Sequence, residues 1–104
     1  MESTSPSTTK IIPIPVPSMH HEGTYTYVAV KGSLYASDSC VFGLDKEEEQ
    51  ALTKKFSADL NKIINGLMIK SHPIKVINAL SQLGYQVVCS TGETEVVWTM
   101  KREV

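Results

Sequence analysis

The stretch from Ser71 to Val104, SHPIKVINALSQLGYQVVCSTGETEVVWTMKREV, constrains this chain more than any other. His72-Pro73 opens a helix signal, because a proline in the first turn sits where the missing N–H would have had no partner. Val76, Ile77, Leu80 and Leu83 recur at helical spacing, and Gly84 ends the pattern. From Tyr85 the period becomes alternating: Tyr85, Val87 and Cys89 fall on one side, and Gln86, Val88 and Ser90 on the other. Thr91-Gly92 marks a tight turn, after which Val96, Trp98 and Met100 oppose Glu95, Val97, Thr99 and Lys101. The predicted shape is a helix feeding a β-hairpin.

Upstream, Thr24 to Lys31 places Tyr25, Tyr27 and Ala29 on one face of a strand and Thr26, Val28 and Val30 on the other. Gly32-Ser33 signals a turn. Leu34 to Phe42 leans towards β-structure but is interrupted by Ser37, Asp38 and Ser39, which predicts a bulged or broken strand. Asp45 is a good N-cap with Glu48 in the capping-box position, and Glu47 to Glu49 complement the positive end of a helix. Leu52, Phe56, Leu60, Ile63, Ile64 and Leu67 then read as one helical stripe ending at Asn65-Gly66, with Leu67 to Lys70 left as a short strand or loop. No internal repeat is visible. At 104 residues the chain suits one domain with one core. The expected fold is α+β, an antiparallel sheet with two helices packed on one face, in a small single domain over residues 24–104.

Residues 1–23 read as a flexible N-terminal extension, since their Ser- and Thr-rich start offers little to bury. Within it, Pro13, Pro15 and Pro17 alternate with Ile12, Ile14 and Val16, which fixes an extended backbone. Such a segment suits either docking to a partner or packing on its own domain.

Ten basic against eleven acidic residues leave a net charge of -1, so nothing favours nucleic acid, whose binding rests on neutralised phosphates. No apolar run spans a bilayer, and the N-terminus lacks a secretory pattern, so no membrane role and a cytoplasmic address are expected. There, Cys40 and Cys89 are expected as buried, reduced thiols. His20-His21-Glu22 is a poor metal cage without convergent ligands. His72 is explained by its place at a helix start, and Ser90, Thr91 and Gly92 by a turn. Trp98 reads as a core residue of a strand. With no catalytic motif in view, no enzyme activity, cofactor or metal is expected.

Pro73, Leu80, Gly84, Tyr85, Val87, Thr91-Gly92 and Val97-Trp98 before a charged end resemble the GTP cyclohydrolase I feedback regulatory protein family. The likeness covers about the last third of the chain, and Tyr27 to Asp45 aligns with the family's first strands without a gap. It implies a non-enzymatic regulator, a homopentamer whose rings cap the faces of decameric GTP cyclohydrolase I in tetrahydrobiopterin biosynthesis. Phenylalanine would promote the activating complex, and tetrahydrobiopterin the one in which the protein acts as an enzyme inhibitor. By position, the resemblance implies an effector-binding or partner interface at Leu34, Tyr35, Thr91, Gly92, Thr94, Glu95 and Val96. The chain departs from the family in its N-terminal extension, in a middle segment that reads as helix where the family has more β-character, and in a shorter hairpin turn. Tyr35 also replaces an arginine. The alternative is a protein–protein adaptor that binds a different partner through the Ile-Pro segment or a sheet edge.

Overall fold

The computed structural model describes residues 23–57 and 59–104. The expected extension, with its Ile-Pro segment and His20-His21-Glu22, lies outside the described residues apart from Gly23. The element order is β1 (Tyr25–Gly32), β2 (Ser39–Phe42), α1 (Lys46–Phe56), β3 (Leu60–Ile63), β4 (Gly66–Ile69), α2 (Pro73–Ser81), β5 (Gln86–Thr91) and β6 (Val96–Glu103). The strands form one six-stranded sheet in the order β3-β4-β2-β1-β6-β5, with every neighbouring pair antiparallel. This is a small α+β domain.

Strand alternation decides which sheet face is covered. Val30 on β1 lies opposite Val41 on β2 and Trp98 on β6, Val28 opposite Met100, and Leu67 on β4 opposite Val41. With Ile69 these side chains meet Leu52 of α1 and Val76, Ala79 and Leu80 of α2 in the core, and Trp98 packs against its edge. Tyr25, Tyr27 and Lys31 point to the other, open face and are exposed, as the alternation of the first strand requires. Burying large aliphatic side chains contributes roughly 1.5–3 kcal/mol each, so the covered face carries the stability of the domain.

Two departures from the sequence reading concern the middle of the chain. The first helix stops at Phe56, where Ser57 takes a positive φ of 53° and its N–H returns to the Thr53 carbonyl. Leu60 and Ile63, expected on the helical stripe, instead lie on β3, and Leu67 lies on β4. Asn65-Gly66, read as a helix stop, instead lies at the β3–β4 hairpin: Ile64-Asn65 forms its turn, with Asn65 at φ 63°, and Gly66 opens β4 opposite Ile63. Asn at a positive φ suits a helix end and a hairpin turn alike, and the spacing of Leu60, Ile63 and Ile64 cannot separate them. Only Ser39–Phe42 of the broken second stretch is strand.

The second helix and the C-terminal hairpin follow expectation more closely. Gly84 adopts a φ of 98° just beyond α2. On β5 a register shift between Val87 and Cys89 interrupts the expected alternation, and all six residues of this edge strand are exposed. Both cysteines are free. Cys40 is half-buried, and burial followed by the nearby Asp38 carboxylate pushes its thiol up, which keeps it protonated. Cys89 is exposed on the edge rather than buried. No helix among the described residues is long and apolar enough to cross a membrane.

Candidate functional site

The sheet brings two distant segments to one end. Gly32, the last residue of β1, lies opposite Val96, the first of β6, and Lys31 lies opposite Val97. The β1–β2 loop carrying Leu34 and Tyr35 therefore leaves the sheet where the β5–β6 turn carrying Gly92, Thr94 and Glu95 also emerges. Lys31 Nζ stands 3.6 Å from Glu95 Oε1 across this end, with both side chains largely in water. An exposed pair of this kind contributes at most about 1 kcal/mol.

The loop is shaped by local hydrogen bonds. Ala36 N–H donates to the Ser33 carbonyl at 3.1 Å and Tyr35 N–H to Ser33 Oγ at 3.1 Å, which fold Ser33 to Ala36 into a turn. His72 ties this turn to α2. Its Nδ1 accepts from Ile74 N–H at 3.1 Å as the helix N-cap, while Nε2–H donates to the Leu34 carbonyl at 2.9 Å. A neutral imidazole with its proton on Nε2 satisfies both partners at once. Held this way, Tyr35 is 99% exposed and Leu34 50% exposed. Among the described residues nothing covers that ring.

On the other segment, Gly92 has a φ of 115°, and a Cβ there would run into the Glu95 carbonyl oxygen. The tight path of the turn thus requires glycine. Thr91, at the end of β5, is exposed with Gly92, Thr94 and Glu95, whereas Val96 is half-buried where β6 begins. The implied interface residues are thus gathered at one end as a surface of one aromatic, two aliphatic, hydroxyl and carboxylate groups. That chemistry suits docking. No group of three or more His, Cys, Asp and Glu able to hold a metal is found among the described residues.

The opposite end of the same hairpin holds an arrangement not anticipated from the sequence. Glu48, in the first turn of α1, is 7% exposed, and its Oε2 accepts from Tyr85 Oη at 2.6 Å and from Arg102 Nη2 and Nε at 2.7 and 3.1 Å. Its Oε1 accepts from Asp45 N–H at 3.0 Å, completing the capping box. Burial alone would push the Glu48 carboxyl up, but the hydrogen bonds from Tyr85, Asp45 N–H and Arg102 outweigh it and hold the group below its ordinary value. Burial, and then the hydrogen bond to Glu48, push the Tyr85 hydroxyl up to about 12. The available signal was the placement of Glu48 one helical turn before Leu52 and two before Phe56, on the buried stripe.

No family model matches the chain, and no curated protein or solved structure is significantly similar to it.

Proposed function

We propose that this chain is a non-enzymatic regulatory protein similar to the feedback regulator of GTP cyclohydrolase I. In this reading it acts in the cytoplasm as a ring of five copies, binds that enzyme, and modulates it in response to phenylalanine and tetrahydrobiopterin. The carrying observation is the meeting of the Leu34-Tyr35 loop and the turn after Gly92 at one sheet end, with a fully exposed tyrosine ring between solvent and the His72 anchor. The β3–β4 hairpin adds support, because it supplies β-character in the segment where the sequence departed from the family pattern. Edge strands invite pairing with a neighbour, and a closed ring covers them on every copy. An effector that binds one complex better shifts the population towards it, and no catalytic group is needed.

The test is co-elution of the full chain with GTP cyclohydrolase I, in phenylalanine and separately in tetrahydrobiopterin. Co-elution in either condition is expected, and failure in both contradicts the reading. The exposed edge strand β5, with Val87 and Val88 in solvent, favours a second reading as an adaptor for a different partner. Removing residues 1–23 separates the Ile-Pro form of that adaptor from the regulator: partner binding vanishes in the first case, and the ring persists in the second.

A further inference from the structure

Away from the hairpin tip, a groove of about 610 Å³ runs between the end of α1, the segment after it, the end of β4 and one face of α2. Its lining shares no residue with the Leu34-Tyr35 loop or with Thr91 to Val96. Three lysines enter that lining from three separate stretches: Lys55 in the last turn of α1, Lys70 just after β4, and Lys75 in the first turn of α2. Among the described residues none of the three takes part in an ion pair. Among the described lining residues Asp59 is the acidic one, so these residues carry a charge near +2 in a chain whose net charge is -1.

Helix chemistry alone does not account for this arrangement. In α1 the charges follow the helix dipole, with Glu47, Glu48 and Glu49 in the first turn and Lys54 and Lys55 in the last. In α2 the first turn has no acidic residue and carries Lys75, against the dipole. Its positive end and Lys75 therefore reinforce the field of Lys70 instead of cancelling it. A concave wall lined by one sign of charge concentrates ions of the other sign. Asn78 on α2 and Gln82 at its C-cap, one turn apart, add uncharged donors and acceptors, and half-buried Phe56 supplies an apolar side.

We propose that this groove binds a small phosphorylated molecule through Lys55, Lys70 and Lys75, with its non-phosphate part against Phe56 and the carboxamides of Asn78 and Gln82. The charge agrees, since a phosphomonoester carries about -1.5 to -2 near neutral pH. The volume agrees as well, because small-molecule sites span roughly 300–1,000 Å³.

The experiment titrates the full chain with adenosine 5′-monophosphate, inorganic phosphate and adenosine, following backbone amide shifts by NMR. Adenosine monophosphate is expected to bind with a dissociation constant of about 1 mM or tighter and to move the amides of Lys70, Lys75 and Gln82. Phosphate is expected to move the same amides more weakly, and adenosine alone to move them least. The K70Q/K75Q variant is expected to weaken binding about tenfold or more, with K46Q, outside the groove, binding as the parent does. The proposal is overturned by an absence of shifts up to about 10 mM of either phosphate compound, or by undiminished affinity in folded K70Q/K75Q. A phosphoserine peptide that binds where free phosphate compounds do not would likewise overturn it in favour of a protein partner.

Discussion

The two ends of the C-terminal hairpin are built on opposite principles. At its base, Tyr85 and Arg102 converge on the buried Glu48 carboxylate, so α1, the start of β5 and the end of β6 are joined through one oxygen atom. At its tip, Gly92 to Glu95 are exposed, and the charge pair Lys31–Glu95 is long and solvated. The base is over-determined: removing Glu48 strands the buried Tyr85 hydroxyl and leaves the half-buried Arg102 without its acceptor. The tip is fixed by backbone geometry, and its side chains are free to meet something else. Stability is thus concentrated at the base, and in the proposed reading recognition falls at the tip of the same two strands.

Substitutions at the base should be the most damaging. Glu48→Ala leaves Arg102 and the Tyr85 hydroxyl without their acceptor and removes half the capping box, at an expected cost of about 3–4 kcal/mol in urea denaturation. Less than about 1 kcal/mol would mean that the network adds little to the fold. Acid should erode the same contribution. Because the Glu48 carboxyl is held below its ordinary value, its stabilisation is complete above the unfolded value of about 4.3 and is lost as pH falls through the folded one. The Tyr85 hydroxyl has the opposite sign: its share is present below about 10 and is lost as pH rises towards about 12. Thermal unfolding across pH should show both flanks in the parent, and Glu48→Gln should flatten the acid one.

At the tip, Gly92→Ala must relieve the clash with the Glu95 carbonyl by moving the turn, at an expected cost of about 1–3 kcal/mol. Amide shifts should change through Thr94 to Val96 while the base stays as it was. The smallest stability effect belongs to Tyr35→Ser, within about 0.5 kcal/mol of the parent because the ring has no covering contacts. That variant should nonetheless lose partner binding. A stable variant that binds the partner normally would remove Tyr35 from the interface.

The strands and the first helix cap were legible in the sequence, whereas the contacts at the base and the grouping at the tip were not. Alternation in β1 and β6 placed Val28, Val30, Trp98 and Met100 on the covered face because each strand has one face against the helices. The capping box at Asp45 and Glu48 depends on adjacent residues, so it was readable locally. The β3–β4 hairpin was not, since apolar residues at Leu60, Ile63 and Ile64 fit a helix as well as a short strand pair. The bulge in β5 and the exposure of Cys89 follow from an edge position that only the strand order reveals. The Glu48–Tyr85–Arg102 contact joins residues far apart in the chain, and pairing of β1 with β6 is what brings the implied interface residues to one end. Their grouping follows from topology rather than from any local motif.

The most direct measurement is the mass of the full chain in solution by multi-angle light scattering, with the Tyr35→Ser variant run beside it. The account predicts a ring of five times the 11.4 kDa chain for both proteins, because the proposed reading has strand edges close the ring and the exposed tyrosine serve the partner. A single 11.4 kDa species across the concentration range would contradict it.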